Sequence, residues 1–185
     1  SGPNHKNLTL TGGTWTPGVR GSGLKFNGQG QYAETSGPVV DTTGDYTVSA
    51  WVTLDALPGN YATAVSQDGR RTENPFYLQY GQGAFAFSTP GGNRARLETK
   101  PELGRWYHLV GVRSGDLLRL YVDGEPAATA PAGPADVSTG PLSVGRAQWS
   151  GQKTDFWTGS VDQVAVWDRA LTDQEVTALH DGEQP

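Results

Sequence analysis

The residues that could do chemistry in this chain lie in two stretches that combine aromatic rings with charged and amide side chains. The stretch AQWSGQKTDFWTG (147–159) supplies Trp149, Asp155 and Trp157. The stretch QDGRRTENPFYLQY (67–80) supplies Arg70, Arg71, Asn74, Tyr77 and Tyr80. A flat aromatic ring stacks on a sugar ring, and planar polar groups beside it fix the hydroxyls. We therefore predict that these eight residues bind carbohydrate at one mouth on a sheet edge.

Each of these assignments has a structural alternative. Trp157 could fill the core, as expected for the tryptophans in regular strands, and Arg70 and Arg71 could be ordinary solvated charges on a loop. Trp149 is flanked by Gln, Ser and Gly. An aromatic residue in such a polar loop favours a functional interpretation.

The sequence offers no recognisable catalytic set. Retaining glycosidases need two carboxylates roughly 5 Å apart, whereas Glu98 and Glu102 flank Pro101 and fit a turn. His108 shares the face of Trp106, and we interpret it as a core histidine. The chain has no G-x-S-x-G elbow, no P-loop and no H-E-x-x-H motif. We predict a domain without catalytic residues of its own.

Composition limits the kinds of partner. The 185 residues are 35% hydrophobic and contain no cysteine, and the net charge is −5. That length suits one core, so we predict a single domain over 1–185, with Ser1 and Gly2 left from a tag on a piece of a longer protein. A net negative chain without a basic cluster disfavours nucleic acid, and no apolar run reaches the length that spans a bilayer. Neither nucleic acid nor membrane is an expected partner.

The elements that must position the candidate residues are short strands. YTVSAWVTL (46–54) alternates apolar and polar residues with period two, and similar stretches recur along the chain to give about a dozen strands. Asp123-Gly124 fits a tight hairpin, and TAPAGPADVSTGP (129–141) reads as a loop. LTDQEVTALHDG (171–182) predicts one helix, with a capping box between Thr172 and Glu175 and a stop at Gly182. The predicted fold is all-β, a two-sheet antiparallel jelly-roll sandwich with one short C-terminal helix.

Asp162 in SVDQVAVW (160–167) is unusual within these strands. It shares the parity of Val164 and Val166, so the alternation points it inward. An unpaired buried carboxylate is costly and needs a cation, a basic partner or several amide donors.

Several stretches together resemble a known family. They are HKNLTL (5–10), GSGLKFNGQGQYAE (21–34), DYTVSAWVTL (45–54), TAVSQDG (63–69), FYLQY (76–80), GRWYHLVGVR (104–113), LRLYVDGE (118–125), LSVGRA (142–147) and GSVDQVAVWDRALTDQEV (159–176). In order and spacing they resemble laminin G-like jelly-roll domains of the concanavalin A-like lectin and glucanase superfamily, in particular those attached to secreted bacterial enzymes. Nearly the whole chain takes part in the resemblance.

The resemblance implies a function. It suggests a secreted, non-catalytic carbohydrate-binding module that attaches a neighbouring catalytic domain of the same chain to a polysaccharide or oligosaccharide. The alternative is a structural or protein-interaction module that packs against a neighbouring domain and stabilises it. The fold alone does not choose between them.

The resemblance also implies a structural calcium ion. Many members of the superfamily hold calcium through an acidic residue on the last long strand and carbonyl oxygens of an early glycine turn, which here match Asp162 and Gly28. Calcium takes six to eight oxygen ligands, so further carbonyls and waters would complete the shell. GQGQY (28–32) carries glutamines where a related domain often has an acidic residue, which removes a charged ligand. Without metal, Asp162 would cap neighbouring amides or pair with Arg146 or Arg169.

Overall fold

The computed structural model describes residues 6–70 and 72–185, and in these ranges two antiparallel sheets carry the fold. The first sheet has the spatial order β1 (Thr9–Thr11), β4 (Tyr32–Glu34), β13 (Ser138–Val144), β6 (Tyr61–Gly69), β7 (Phe76–Gly81), β8 (Ala84–Ser88) and β9 (Arg94–Arg96). The second has the order β12 (Glu125–Pro131), β11 (Leu117–Val122), β10 (Tyr107–Ser114), β5 (Tyr46–Val52), β16 (Thr158–Trp167), β3 (Ser22–Asn27) and β2 (Thr14–Pro17). A hairpin of β14 (Ala147–Trp149) and β15 (Gln152–Thr154) and the helix α1 (Asp173–Asp181) complete the described elements. The predicted two-sheet jelly-roll class with one C-terminal helix is confirmed.

The two sheets bury a shared apolar core between their facing sides. Alternate residues of each strand point inward and exclude water, which stabilises the sandwich. The buried cluster includes Phe26, Tyr46, Val48, Leu78, Phe85, Phe87, Leu109, Leu118 and Trp157. The sheets approach closely at Gly111, where a Cβ atom would overlap the Phe87 ring.

The local turn and cap predictions are confirmed. Asp123 and Gly124 adopt φ values of 53° and 83° between β11 and β12, as a two-residue hairpin turn requires. In the capping box, the Glu175 N–H donates to Thr172 Oγ1 over 3.3 Å and the Thr172 N–H donates to Glu175 Oε2 over 2.8 Å. Gly182 ends α1 at φ 99°. No helix in the described ranges is long and apolar enough to cross a membrane.

The prediction of a loop over 129–141 is wrong at both ends. β12 runs to Pro131 and β13 begins at Ser138, so only 132–137 connect them. β12 is an edge strand, and an edge tolerates Pro126 and Pro131 because their missing N–H groups can face solvent. The register of β13 shifts between Ser138 and Leu142, so the strand accommodates Gly140 and Pro141 at an irregularity.

A β-bulge in β16 makes the Asp162 side chain point away from the core, and the predicted inward orientation is wrong. Asp162 pairs with Trp51, but Ala165 pairs with Ser49, so β16 holds one residue more than β5 across this step. Gln163 takes up the extra residue at φ 48°. The bulge reverses the parity after Asp162, because one inserted residue moves all later side chains to the other face. Asp162 therefore faces the outer side of the second sheet with Trp51.

Candidate functional site

A cleft of about 420 Å³ lies on the outer face of the first sheet, opposite the core. Residues of β6, β7, β8 and β9 that alternate with core residues form its floor; they include Tyr61, Tyr77, Gln79, Ser88 and Arg94. The β14–β15 hairpin and the segment after it form one wall, with Trp149 and Asp155. Because Leu78 points into the core, its neighbours on β7 must point into the cleft.

Trp149 is the exposed aromatic residue of this wall, with 53% of its surface accessible. It ends β14, and the tight turn after it uses Ser150 and Gly151 at φ 50° and 73°. The Gly151 N–H donates to Thr72 O over 3.0 Å, which fastens the hairpin to the loop between β6 and β7. The indole ring is thus presented to solvent on an anchored hairpin, where it can stack on a ligand ring.

Asn74 connects this hairpin to the sheet. The side chain is fully buried, its Oδ1 accepts a hydrogen bond from the Gln148 backbone N–H, and its Nδ2 donates to Asp68 Oδ1 over 2.9 Å. The Asn74 backbone N–H donates to the Tyr77 hydroxyl over 3.0 Å. Asn74 was predicted to bind carbohydrate, and the structure corrects this, since its side chain is buried, bonds to Gln148 and Asp68, and does not line the cleft. It positions the residue before Trp149.

The completely buried Arg146 supplies the positive charge of the same hydrogen-bond network. Its Nη1 and Nη2 donate to the two Asp68 carboxylate oxygens, each over 2.8 Å, and Nη2 also donates to Glu34 Oε2 over 2.7 Å. A two-pronged guanidinium–carboxylate pair fixes both partners in orientation as well as in distance. The guanidinium therefore sets the position of Asp68, and through it the position of Asn74.

Asp155 carries the acidic group of the hairpin wall. Its backbone is left-handed at φ 50°, and its carbonyl accepts the Thr63 N–H over 2.8 Å. The carboxylate accepts the Thr154 hydroxyl over 3.3 Å and forms no ion pair with any residue in the described ranges. Burial raises the pKa of this carboxyl above its usual value. Asp155 can accept hydrogen bonds from ligand hydroxyls.

The opposite end of the cleft carries Arg94. Its Nε donates to Ser88 Oγ over 3.3 Å and its Nη2 donates to the Tyr61 hydroxyl over 3.2 Å. The guanidinium carbon also lies 5.3 Å from the centre of the Tyr61 ring. Gln79 Nε2 donates to the same Ser88 Oγ over 3.0 Å, so amide, hydroxyl and guanidinium groups form one connected polar floor.

Three of the predicted site residues meet in the cleft. Trp149, Asp155 and Tyr77 all line it. Tyr77 is 7% exposed, its hydroxyl donates to Gln148 O over 3.4 Å, and burial raises its pKa to about 12. The Tyr77 phenol therefore stays protonated and forms an uncharged part of the cleft floor.

Other predicted residues lie elsewhere. Trp157 is fully buried and its Nε1 donates to Thr53 O over 3.0 Å, so no ligand can reach the ring. Tyr80 is 4% exposed in the core, because it has the opposite parity to Tyr77 on β7. Arg70 is exposed on the loop after β6, outside the cleft lining. Arg71 lies outside the described residues.

Sequence reasoning missed the polar floor. Tyr61, Gln79, Ser88 and Arg94 line the cleft, and none of them belongs to the predicted site. The parity of FYLQY could have identified Gln79, which shares a face with Tyr77. Arg94 had no comparable signal, because its strand β9 is only three residues long.

Asp162 lies on the other sheet and is 6% exposed. Its Oδ1 accepts the Gln163 N–H over 2.7 Å, and its Oδ2 accepts the Arg20 N–H over 3.1 Å. The arginine partners considered above pair elsewhere, Arg146 with Asp68 and Glu34 and Arg169 with Glu175. Backbone N–H groups therefore donate to both oxygens of this carboxylate.

Gly28 lies too far from Asp162 for both to contribute to one metal site. Asn27 pairs with Thr158, and Asp162 is four residues further along β16, which separates Gly28 from Asp162 by roughly 13 Å or more. The pair does not fit a shared calcium shell. The described residues also contain no group of three or more His, Cys, Asp or Glu side chains that could hold a metal. Calcium at Asp162 alone stays a prediction.

Comparisons with known proteins agree with this architecture. The laminin G model described as the concanavalin A-like lectin/glucanases superfamily matches residues 27–177. No curated protein matches the chain.

Several solved structures have the same fold. Domain 4 of AbnA, a GH43 extracellular arabinanase from Geobacillus stearothermophilus, in complex with arabinotriose, is 21% identical with a TM-score of 0.75, and the match covers 94% of this chain and 87% of that one. Trypanosoma rangeli sialidase in complex with the inhibitor DANA is 21% identical with a TM-score of 0.70, over 94% of this chain and 29% of the sialidase. The binding domain of Paraclostridial Mosquitocidal Protein 1 is 15% identical with a TM-score of 0.73, over 96% and 48%. The chain thus spans under a third of the sialidase, and these likenesses establish the fold.

Proposed function

Because the chain belongs to the concanavalin A-like lectin/glucanases superfamily, we propose that it is a non-catalytic carbohydrate-binding module of a secreted bacterial glycoside-active enzyme. In this role it attaches a neighbouring catalytic domain of the same chain to a polysaccharide or oligosaccharide. The observation that carries the proposal is the cleft that the exposed Trp149 lines together with Asp155, Gln79 and Arg94.

The geometry of the cleft supports a sugar ligand. Its volume of about 420 Å³ is in the range of small-ligand sites, and its wall and floor combine an accessible aromatic face with planar amide, carboxylate and guanidinium groups. A sugar ring needs both, since its C–H face stacks on an indole while its hydroxyls require donors and acceptors. Asp155 supplies acceptors at one end and Arg94 supplies donors at the other.

The solved relatives add support of a different kind. The arabinanase domain that resembles this chain over most of its length was solved with arabinotriose. The sialidase and the mosquitocidal binding domain carry the same fold within longer chains. A role as an accessory domain of a larger protein is consistent with these relatives.

Calorimetry of the whole chain against a panel of polysaccharides and oligosaccharides tests the proposal. We expect binding to at least one member, with a loss of tenfold or more in Trp149→Ala. Trp15→Ala is the matched control, because Trp15 is 70% exposed but lies on β2 of the other sheet. No binding across the panel, or equal effects of both variants, would count against a sugar site in this cleft.

A structural or protein-interaction module is the second candidate, and the exposed Trp15 favours it. Its ring and Leu8, which is 40% exposed, line a separate cleft of about 450 Å³ on the second sheet. Large exposed apolar side chains of this kind are typical of contact surfaces. In this case Trp15→Ala would lower the melting temperature of a protein that contains the neighbouring domain more than it lowers that of the domain alone. Trp149→Ala would show no such difference.

A further inference from the structure

Four side chains with hydrogen-bond donors, those of Tyr61, Ser88, Thr89 and Arg94, line one end of the cleft, which is called the donor end below. We propose that the donor end binds the carboxylate of a uronic acid residue, so that the ligand is an acidic polysaccharide. The inference rests on the carbohydrate-binding function proposed above and names its ligand class.

Arg94 is a positive charge with donors to spare. A guanidinium has five N–H donors, and three are used, by Ser88 Oγ over 3.3 Å, Gln82 Oε1 over 3.0 Å and the Tyr61 hydroxyl over 3.2 Å. Two N–H donors therefore remain, one on each terminal nitrogen. All three acceptors are neutral, and Arg94 forms no ion pair with any carboxylate of the described residues.

Two hydroxyls beside Arg94 are also left as donors. Ser88 Oγ accepts from both Gln79 Nε2 and Arg94 Nε, which uses its two lone pairs and leaves its O–H free. The Tyr61 hydroxyl accepts from Arg94 Nη2, and within the described ranges its own O–H has no acceptor. Internal hydrogen bonds thus occupy the acceptors of these two cleft-lining residues, and their O–H groups have no acceptor among the described residues.

Thr89 supplies a third hydroxyl that lacks a partner. It is 3% exposed, it lines the cleft, and its Oγ1 has no hydrogen-bond partner among the described residues. Leaving a buried hydroxyl unpaired costs free energy comparable to a lost hydrogen bond. Gly91 and Gly92 follow at φ 87° and 89° and also line the cleft, with open space where side chains would be.

A carboxylate matches this set better than a sugar hydroxyl does. Ionised carboxylate oxygens only accept hydrogen bonds, and a planar carboxylate matches the paired terminal nitrogens of a guanidinium. A neutral hydroxyl would leave the Arg94 charge uncompensated. Asp155 and Trp149 lie on the hairpin wall, across β6, β7 and β8 from β9, and can hold the hydroxyls and the ring face of the next sugar.

The test compares acidic polysaccharides with their own neutral forms. Calorimetry of the whole chain uses polygalacturonate, glucuronoxylan and alginate, each beside its carboxyl-reduced counterpart, together with neutral arabinan and a sulfated galactan. We expect at least tenfold tighter binding of one acidic form than of its reduced form, and a preference that weakens as salt increases.

Variants of β9 assign this preference to one side chain. Arg94→Gln should lose the tenfold preference, so that this variant binds an acidic form and its carboxyl-reduced counterpart with similar affinity. Arg94→Lys keeps the charge without the paired nitrogens and should lose part of it. Arg96→Gln is the matched control, since Arg96 lies two residues along the same strand and does not line the cleft. Melting temperatures identify any variant that fails to fold, in which case Arg94→Lys carries the test.

The outcomes separate this inference from the function on which it rests. Equal binding of acidic and reduced forms, still sensitive to Trp149→Ala, overturns the carboxylate assignment and leaves the sugar-binding function intact. Binding of the sulfated galactan alone, sensitive to Arg94→Gln, overturns it in favour of sulfate esters. Absence of binding to every polysaccharide, arabinan included, overturns both.

Discussion

The Asn74 side chain accepts a hydrogen bond from the backbone N–H of Gln148, the residue directly before Trp149. Asn74 is fully buried and is itself held by Asp68, which pairs with the buried Arg146. Buried polar contacts beneath the hairpin therefore fix the backbone that carries the exposed indole of Trp149. An exposed ring gains little from its own packing, so its orientation depends on the backbone that carries it.

Asn74→Ala should weaken both the fold and sugar binding. It leaves the buried Gln148 N–H without its acceptor and removes one of the two hydrogen bonds to Asp68 Oδ1, which costs about 1 to 3 kcal/mol in the free energy of unfolding. Denaturant unfolding measures the first effect and calorimetry the second. Gln152→Ala, an exposed change in the same hairpin, should shift neither by more than about 0.5 kcal/mol. Normal sugar affinity in a destabilised Asn74→Ala would show that Trp149 is positioned in another way.

Arg146→Ala should be among the most destabilising single changes in the molecule. It leaves Asp68 without its cation and Glu34 with Lys153 alone, and breaking a buried pair typically costs about 3 to 5 kcal/mol. Urea unfolding gives the value. Lys25→Ala, which breaks the exposed pair with Asp55, should cost less than about 1 kcal/mol and serves as the control. Similar costs for the two variants would contradict the structural role of Arg146.

His108 should make the stability of the domain depend on pH. The side chain is 1% exposed, its Nε2 lies 2.8 Å from Ser49 Oγ, and its ring packs against Trp51 and His180 at 5.0 and 5.5 Å between ring centres. Burial, with the nearby His180 and Arg20, lowers the pKa of His108 to about 4. The unfolded chain binds its proton near pH 6.5, so stability is complete above that pH and falls as the pH drops toward 4.

Between pH 7 and pH 5 this effect amounts to about 2 kcal/mol in the free energy of unfolding. Urea unfolding at a series of pH values measures it, and His108→Gln should flatten the dependence in this window. Glu175, whose pKa is lowered to about 2 mainly by Arg169, adds its own loss only below about pH 5. A wild-type curve that stays level from pH 7 to pH 5 would refute the assignment.

Calcium at Asp162 predicts a melting temperature that responds to chelation. A ligand at a hundredfold excess over its Kd adds about 2.7 kcal/mol, or roughly 5 to 10 °C for a domain of this size. EDTA in metal-free buffer should remove that increment, and Asp162→Asn should abolish the response to added calcium. Identical melts with EDTA and with calcium would leave the Arg20 and Gln163 amides as the partners of this carboxylate.

Much of the fold was determined by the sequence itself, because it depends on short-range patterns. Period-two alternation such as YTVSAWVTL requires strands with opposite faces, and Asp123-Gly124 can adopt the positive φ values of the turn. Thr172 and Glu175 are three residues apart, so their capping box needs no distant partner. These features fixed the all-β class and the position of the helix.

The site depended on the tertiary structure, because burial and parity are decided by distant segments. Trp149 and Trp157 occur in the same stretch, yet one is 53% exposed and the other fully buried, since the core covers only the second. A single extra residue at Gln163 turned Asp162 away from the face that alternation predicts. Arg94 reached the cleft only because β9 pairs with β8 at one edge of the sheet. Strand pairing, β-bulges and burial depend on contacts between residues far apart in sequence, so no local pattern can predict them.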